Sequence, residues 1–173
     1  MYNRVVVALD GSAASETAVP AARALVPADD GHIYLVHAID ALDLERMGAW
    51  TRYAFGRHVG AVASATETGA SAAHAYLAEV AAALSGVQVT SVVRVGDAAR
   101  VIAAVAAEVG ADLIVLASHG RSGISRLAMG SVAASVIGLA AAPVLVIGPC
   151  VPVAMGHVDG PSGRITHLAA GVR

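Results

Sequence analysis

The chain has 173 residues, which is enough for one domain with its own buried core. Its net charge is −2, aromatics make up only 3%, and no basic cluster occurs, so nucleic acid is excluded as the main partner. A single cysteine, Cys150, rules out an internal disulfide and fits a reducing cytoplasm.

Strands and helices alternate along the chain. Arg4–Leu9 is a nearly continuous apolar run, the mark of a parallel strand covered on both faces. Asp10 ends it, so the apolar run is too short for a signal peptide. Ser15–Leu25 reads as a helix, with Ser15 as its cap and Pro20 as its weak point. His32–Ile39 reads as the second strand. The stretch from Asp40 to about Gly60 carries Trp50, Tyr53 and Phe55, and reads either as a packing element or as a cover over a ligand. Thr66–Leu84 is an Ala-rich helix, and Val87–Val95 is a strand rich in Val. Asp97 caps a helix that runs to Val109, where Gly110 ends it. Leu113–Leu116 is the fourth strand, Ser131–Leu139 the fourth helix and Val144–Ile147 the fifth strand. No charged residue occurs between Leu127 and Val158, yet Gly130, Gly138 and Pro143 divide that stretch, so a membrane span is not expected. The alternation predicts an α/β fold: one Rossmann-like open sheet of five mostly parallel strands with helices on both faces.

The richest motif joins the fourth strand to the fourth helix. Ala117-Ser118-His119-Gly120 is followed by nine residues and then by Gly130-Ser131. Glycines let backbone approach a phosphate, and a helix start offers free N–H groups at the positive end of its dipole. On spacing alone, ordinary turn glycines explain the pattern equally well. A Walker A loop is excluded because the chain contains no lysine; all 11 basic residues are arginine. No Gly-x-Gly-x-x-Gly follows the first strand, which argues against a dinucleotide site. The seven histidines lack metal-ligand spacing, and no strong general base accompanies the loop.

The segment from Ser118-His119-Gly120 through Gly130-Ser131-Val132-Ala133 resembles the nucleotide loop of universal stress proteins. The resemblance extends in order over residues 2–148. It takes in Arg4 to Ser12 as first strand and terminal aspartate, Val36-His37-Ala38-Ile39 as second strand, Gly96-Asp97 as a helix-initiating turn, and Ala142 to Ile147 as last strand. It implies a domain over residues 1–148 and leaves residues 149–173 as a tail, flexible or docked on a partner subunit. It implies a cytoplasmic stress-response regulator that binds ATP, or ADP or AMP, as a homodimer paired through Val144–Ile147, with at most slow hydrolysis. Mg²⁺ can accompany a triphosphate through phosphate oxygens and water. The implied site comprises Ala8, Leu9, Asp10 and Ala38 at the adenosine end and Leu116 and Ala117 at the end of the fourth strand. Around the phosphates it comprises His119, Gly120, Arg121, Gly130, Ser131, Val132 and Ala133. One departure stands out: Ala117 occupies a position where nucleotide-binding members usually have Gly, and its cost depends on the sign of φ there. The alternatives are a nucleotide-independent interaction module of the same fold and, less supported, a nucleotidyl transferase or hydrolase, whose signature loops are missing.

Overall fold

A computed structural model describes residues 1–40, 61–118 and 129–148. Expectations for 41–60, 119–128 and 149–173 lie outside the described residues. The order is β1 (Arg4–Ala8), α1 (Ala13–Glu16), α2 (Ala18–Leu25), β2 (His32–Ile39), α3 (Ala61–Ala82), β3 (Gln88–Val95), α4 (Ala98–Val109), β4 (Leu113–Ala117), α5 (Ser131–Leu139) and β5 (Val144–Ile147). The five strands form one parallel sheet in the order β3-β2-β1-β4-β5.

Period-2 alternation sorts the strand residues into two cores. Val5, Val7, Ile33, Leu35, Leu113 and Val115 pack with Ala18 and Ala22 of α2 and Leu77 of α3. Val6, Ala8, Val36, Ile114 and Leu116 pack with Ile102 and Val105 of α4 and Ala133 and Val136 of α5. Both faces of the central strands are therefore dry, which explains why β1 and β4 are apolar at nearly every position.

Two helix boundaries differ from the sequence expectation. The predicted helix Ser15–Leu25 is two helices, and the capping residue is Ser12, whose hydroxyl accepts from the Ser15 amide at 3.2 Å. Pro20 is the cause: it has no N–H to give the Glu16 carbonyl and its ring crowds that carbonyl, so the chain breaks at Thr17. Placed in the first turn of α2, the proline costs no hydrogen bond. Ser15 instead lies buried in α1 and donates its own hydroxyl to the Ser12 carbonyl. The predicted start at Thr66 falls inside α3, because the small residues from Ala61 onward propagate the helix upstream. At the other end, Ala83 and Leu84 donate to carbonyls three residues back, tightening the last turn.

The predicted termini of α4 hold. The Asp97 carboxylate accepts from the Arg100 amide at 2.9 Å. Gly110 sits in the left-handed region at φ 58°, and Ala111 donates back to the Ala106 carbonyl in a Schellman closure. The predicted α5 is only nine residues long, about half of what a bilayer requires. Among the described residues, no helix is long and apolar enough to cross a membrane.

Candidate nucleotide site

The chain leaves β1 in one direction to build β2 and β3, then returns to place β4 and β5 on the other side. Strand order thus reverses between β1 and β4, and in open parallel sheets ligand crevices form at the carboxyl ends of the strands at such a point. A cleft of about 290 Å³ opens there, on the α4/α5 side. It is lined by Ala8 of β1 with Leu9 and Asp10 just after it, Ala38 of β2, Leu116 and Ala117 of β4, and Gly130, Ser131, Val132 and Ala133 at the start of α5. These are ten of the thirteen residues singled out from the sequence. The other three, His119, Gly120 and Arg121, lie outside the described residues.

The turn after β1 is held by its own side chains. Gly11 has φ 81°, a left-handed conformation that favours glycine. Beyond it, Asp10 Oδ1 accepts from the Ser12 amide at 3.0 Å and from the Ser12 hydroxyl at 2.6 Å. The Asp10 amide in turn donates to the buried Ser15 hydroxyl at 3.3 Å. Asp10 is therefore both a turn-former and a wall of the cleft. Leu9 offers the cleft little beyond main chain, since its side chain lies in the α2/α3 core and its amide donates to the Val36 carbonyl at 2.9 Å.

The opposite wall is pinned to β4. Ser118 donates to the Ile147 carbonyl at 2.7 Å, and Gly130 donates to the Ser118 carbonyl at 2.7 Å. Both ends of the intervening loop therefore meet at the end of β4. Ala117 is a strand residue, paired with Ile147, so its backbone is extended and the methyl group costs no backbone strain.

Two helix N-termini border the cleft, and they differ. At α4 the Asp97 carboxylate caps the first turn by accepting from the Arg100 amide. At α5 the cap is Gly130, which has no side chain to offer, and no side-chain cap bond exists. The first-turn amides of Ser131, Val132 and Ala133 have no partner within the helix, and they carry the positive end of its dipole. An anion entering the cleft meets these amides together with the Ser131 hydroxyl.

Six lining residues are not among the expected site residues: Ser15, Val36, Asp40, Ala98, Ile102 and Ser118. Ala98 and Ile102 stand one turn apart at the start of α4, a spacing the sequence does display. Only the sheet order reveals that this helix borders the switch point. Among the described residues, no group of three or more His, Cys, Asp or Glu could hold a metal ion.

Residues 1–148 match the sequence profile of the universal stress protein family. The chain belongs to that family. No protein of curated function matches it. Among solved structures, it resembles a universal stress protein in complex with cAMP, with 25% identity and a TM-score of 0.54 over 85% of this chain and 97% of that one. Two structures of lower sequence identity show the same fold. The hypothetical protein MJ0577 has 22% identity and a TM-score of 0.73 over 87% of this chain and 98% of that one. A family protein from Arabidopsis thaliana with AMP bound has 20% identity and a TM-score of 0.51 over 84% and 91%. The family match spans all the described secondary structure.

On the other side of the sheet, Tyr76 of α3 makes an edge-to-face contact with the buried His37, with ring centroids 6.1 Å apart. Its phenol is pushed up to about 12, first by burial and then by the nearby Glu16 carboxylate. Ser15 also lies close, yet the shielded hydroxyl meets hydrogen-bond geometry with no described residue. A phenol whose pKa is higher folded than unfolded keeps its proton longer in the fold. The stabilisation it provides is complete below about pH 10 and is lost as pH rises through about 12. Tyr76→Phe should therefore flatten the decline in stability across that window and change stability little at neutral pH. Urea unfolding at a series of alkaline pH values measures this. The chain has no lysine to titrate in the same range, and the other three tyrosines are common to both proteins, so their contribution cancels in the comparison. An unchanged alkaline slope would remove Tyr76 as its source.

Proposed function

We propose that this chain is an adenine-nucleotide-binding stress-response regulator that acts as a homodimer. The observation that carries the reading is the cleft at the strand-order reversal, with the uncapped start of α5 on one side and Asp10 on the other. Such a cleft suits a ligand with an anionic end and a neutral, hydrogen-bond-donating end. A nucleotide has both. The relatives solved with cAMP and with AMP support adenine as the base.

ATP is the proposed ligand, with ADP and AMP as its shorter analogues. The α5 amides and Ser131 hold phosphate, and Mg²⁺ travels with the triphosphate through phosphate oxygens and water. Hydrolysis is at most slow: the sequence places no strong general base beside the loop, and Asp10 Oδ1 is engaged by Ser12. The half-buried edge strand β5 suits pairing with a second copy, which would cover its unpaired backbone. The cytoplasm is the proposed compartment, in keeping with the single cysteine.

The second reading, a nucleotide-independent interaction module, rests on Ala117. The extended backbone at Ala117 weakens it, since a methyl group is accommodated there. One experiment separates the two readings: the purified protein is denatured and the released small molecules are identified by mass spectrometry. If the preparation carries no ligand, ATP–Mg²⁺ is added in a dialysis experiment. Adenine nucleotide near one per chain is expected. An empty protein that also ignores added ATP–Mg²⁺ would favour the interaction module.

A further inference from the structure

The cleft has a charge polarity that extends beyond Asp10. Its charged described lining residues are two carboxylates, Asp10 and Asp40. Asp40 directly follows β2, and the carbonyl of the preceding Ile39 accepts from the Gly96 amide at 2.9 Å, which fixes the chain at that point. The start of α5 is tied to the end of β4 through Gly130 and Ser118. In the order β2-β1-β4, these two features lie two strand spacings apart, about 10 Å across the sheet. The intervening floor is apolar, with Val36, Ala38, Ala98 and Ile102.

We propose that Asp40 reads the ribose hydroxyls of the bound nucleotide and so makes the site selective for ribonucleotides over deoxyribonucleotides. The proposal rests on the nucleotide reading above. An ionised carboxylate only accepts hydrogen bonds, and a vicinal diol presents two O–H donors that it can take together. With terminal phosphates on the α5 amides, the sugar of an extended triphosphate reaches toward β2. Dinucleotide-binding α/β folds likewise use an acidic side chain to take a ribose 2′-hydroxyl. Asp10 is a weaker candidate because it follows β1, one strand spacing nearer the α5 amides than Asp40.

The test is equilibrium binding of ATP and 2′-deoxy-ATP, each with Mg²⁺, to the full chain and to Asp40→Ala. In the native chain, 2′-deoxy-ATP is expected to bind roughly ten- to a hundredfold more weakly, the range for losing a hydrogen bond to a charged group. In Asp40→Ala the ratio should fall to about one, chiefly through weaker ATP binding. The ratio is the readout because removing a negative charge favours both triphosphates alike and cancels. Thermal unfolding without ligand checks that the variant folds, and Asp40→Asn serves as a shape-preserving second variant. Equal binding of the two nucleotides by the native chain overturns this proposal and leaves the nucleotide reading standing. A ratio unchanged in both variants also overturns it. Failure to bind either nucleotide overturns both.

Discussion

Gly130→Asp should abolish triphosphate binding without unfolding the protein. Gly130 caps α5 with φ −59° and ψ 150°, a conformation open to any L-residue. Aspartate is a better N-cap than glycine by a few tenths of a kcal/mol, and its charge also suits the dipole. Helix stability should therefore hold or rise slightly. Binding should respond in the opposite direction. The new carboxylate takes the amides that the phosphate would use and places a negative charge where the ligand's own charge must sit. Losing two charge-assisted hydrogen bonds, at about 1.5–3 kcal/mol each, predicts a loss of at least about a hundredfold in affinity. Calorimetric titration with ATP–Mg²⁺, set beside thermal unfolding, reads both effects. Full ATP affinity in a well-folded Gly130→Asp would place the phosphates elsewhere and sink the proposed site.

Much of this fold is legible in the sequence because local and global signals agree. β2, α5 and β5 have the bounds expected of them, and α4 has the expected caps. Several of these bounds fall at an unambiguous residue, such as Gly110 after α4 or Gly130 before α5. The first helix is less legible. Ser12 and Ser15 are both plausible caps in Asp-Gly-Ser-Ala-Ala-Ser, and the choice between them depends on where Pro20 forces the break. The long helix begins earlier than expected because a run of small residues carries no start signal of its own.

The site divides in a similar way. The residues at the ends of β1 and β4 and at the start of α5 are legible because each sits in a recognisable strand-to-turn or turn-to-helix junction. Asp40, Ala98 and Ile102 are not, because they join the cleft only through the sheet order. Ala117 is the instructive case. As a letter it is a departure from a glycine motif; as a β4 residue paired with Ile147 it is an ordinary extended alanine. Sequence defines the substitution, but only the backbone defines its cost.

Leu77→Ala should be the most damaging single substitution for stability. α3 is 22 residues long and dominated by small side chains, so its amphipathic grip on the sheet is weak. Among its described side chains only Ala73 and Leu77 are buried, and Leu77 alone is large and fully enclosed. It packs into the cluster that holds Ile33, Leu35 and Val7. Those neighbours belong to strands bonded on both sides, and they cannot move into a void without breaking the ladder. The loss should therefore fall in the upper part of the range of about 2–5 kcal/mol for Leu→Ala in a core. Against a total stability of about 5–15 kcal/mol this is a large fraction, and Tm should fall on the order of 10 °C. ATP affinity of the folded protein should stay unchanged, because the cleft lies on the α4/α5 side of the sheet. Leu139→Ala is the matched control: that side chain is 53% exposed, so its removal leaves no internal cavity. Thermal and urea unfolding of the two variants make the comparison. Equal, small losses would mean that α3 is held by something other than Leu77. A large loss confined to Leu77→Ala, with ATP affinity kept, would show that one side chain anchors α3 behind the sheet independently of the cleft on the opposite face.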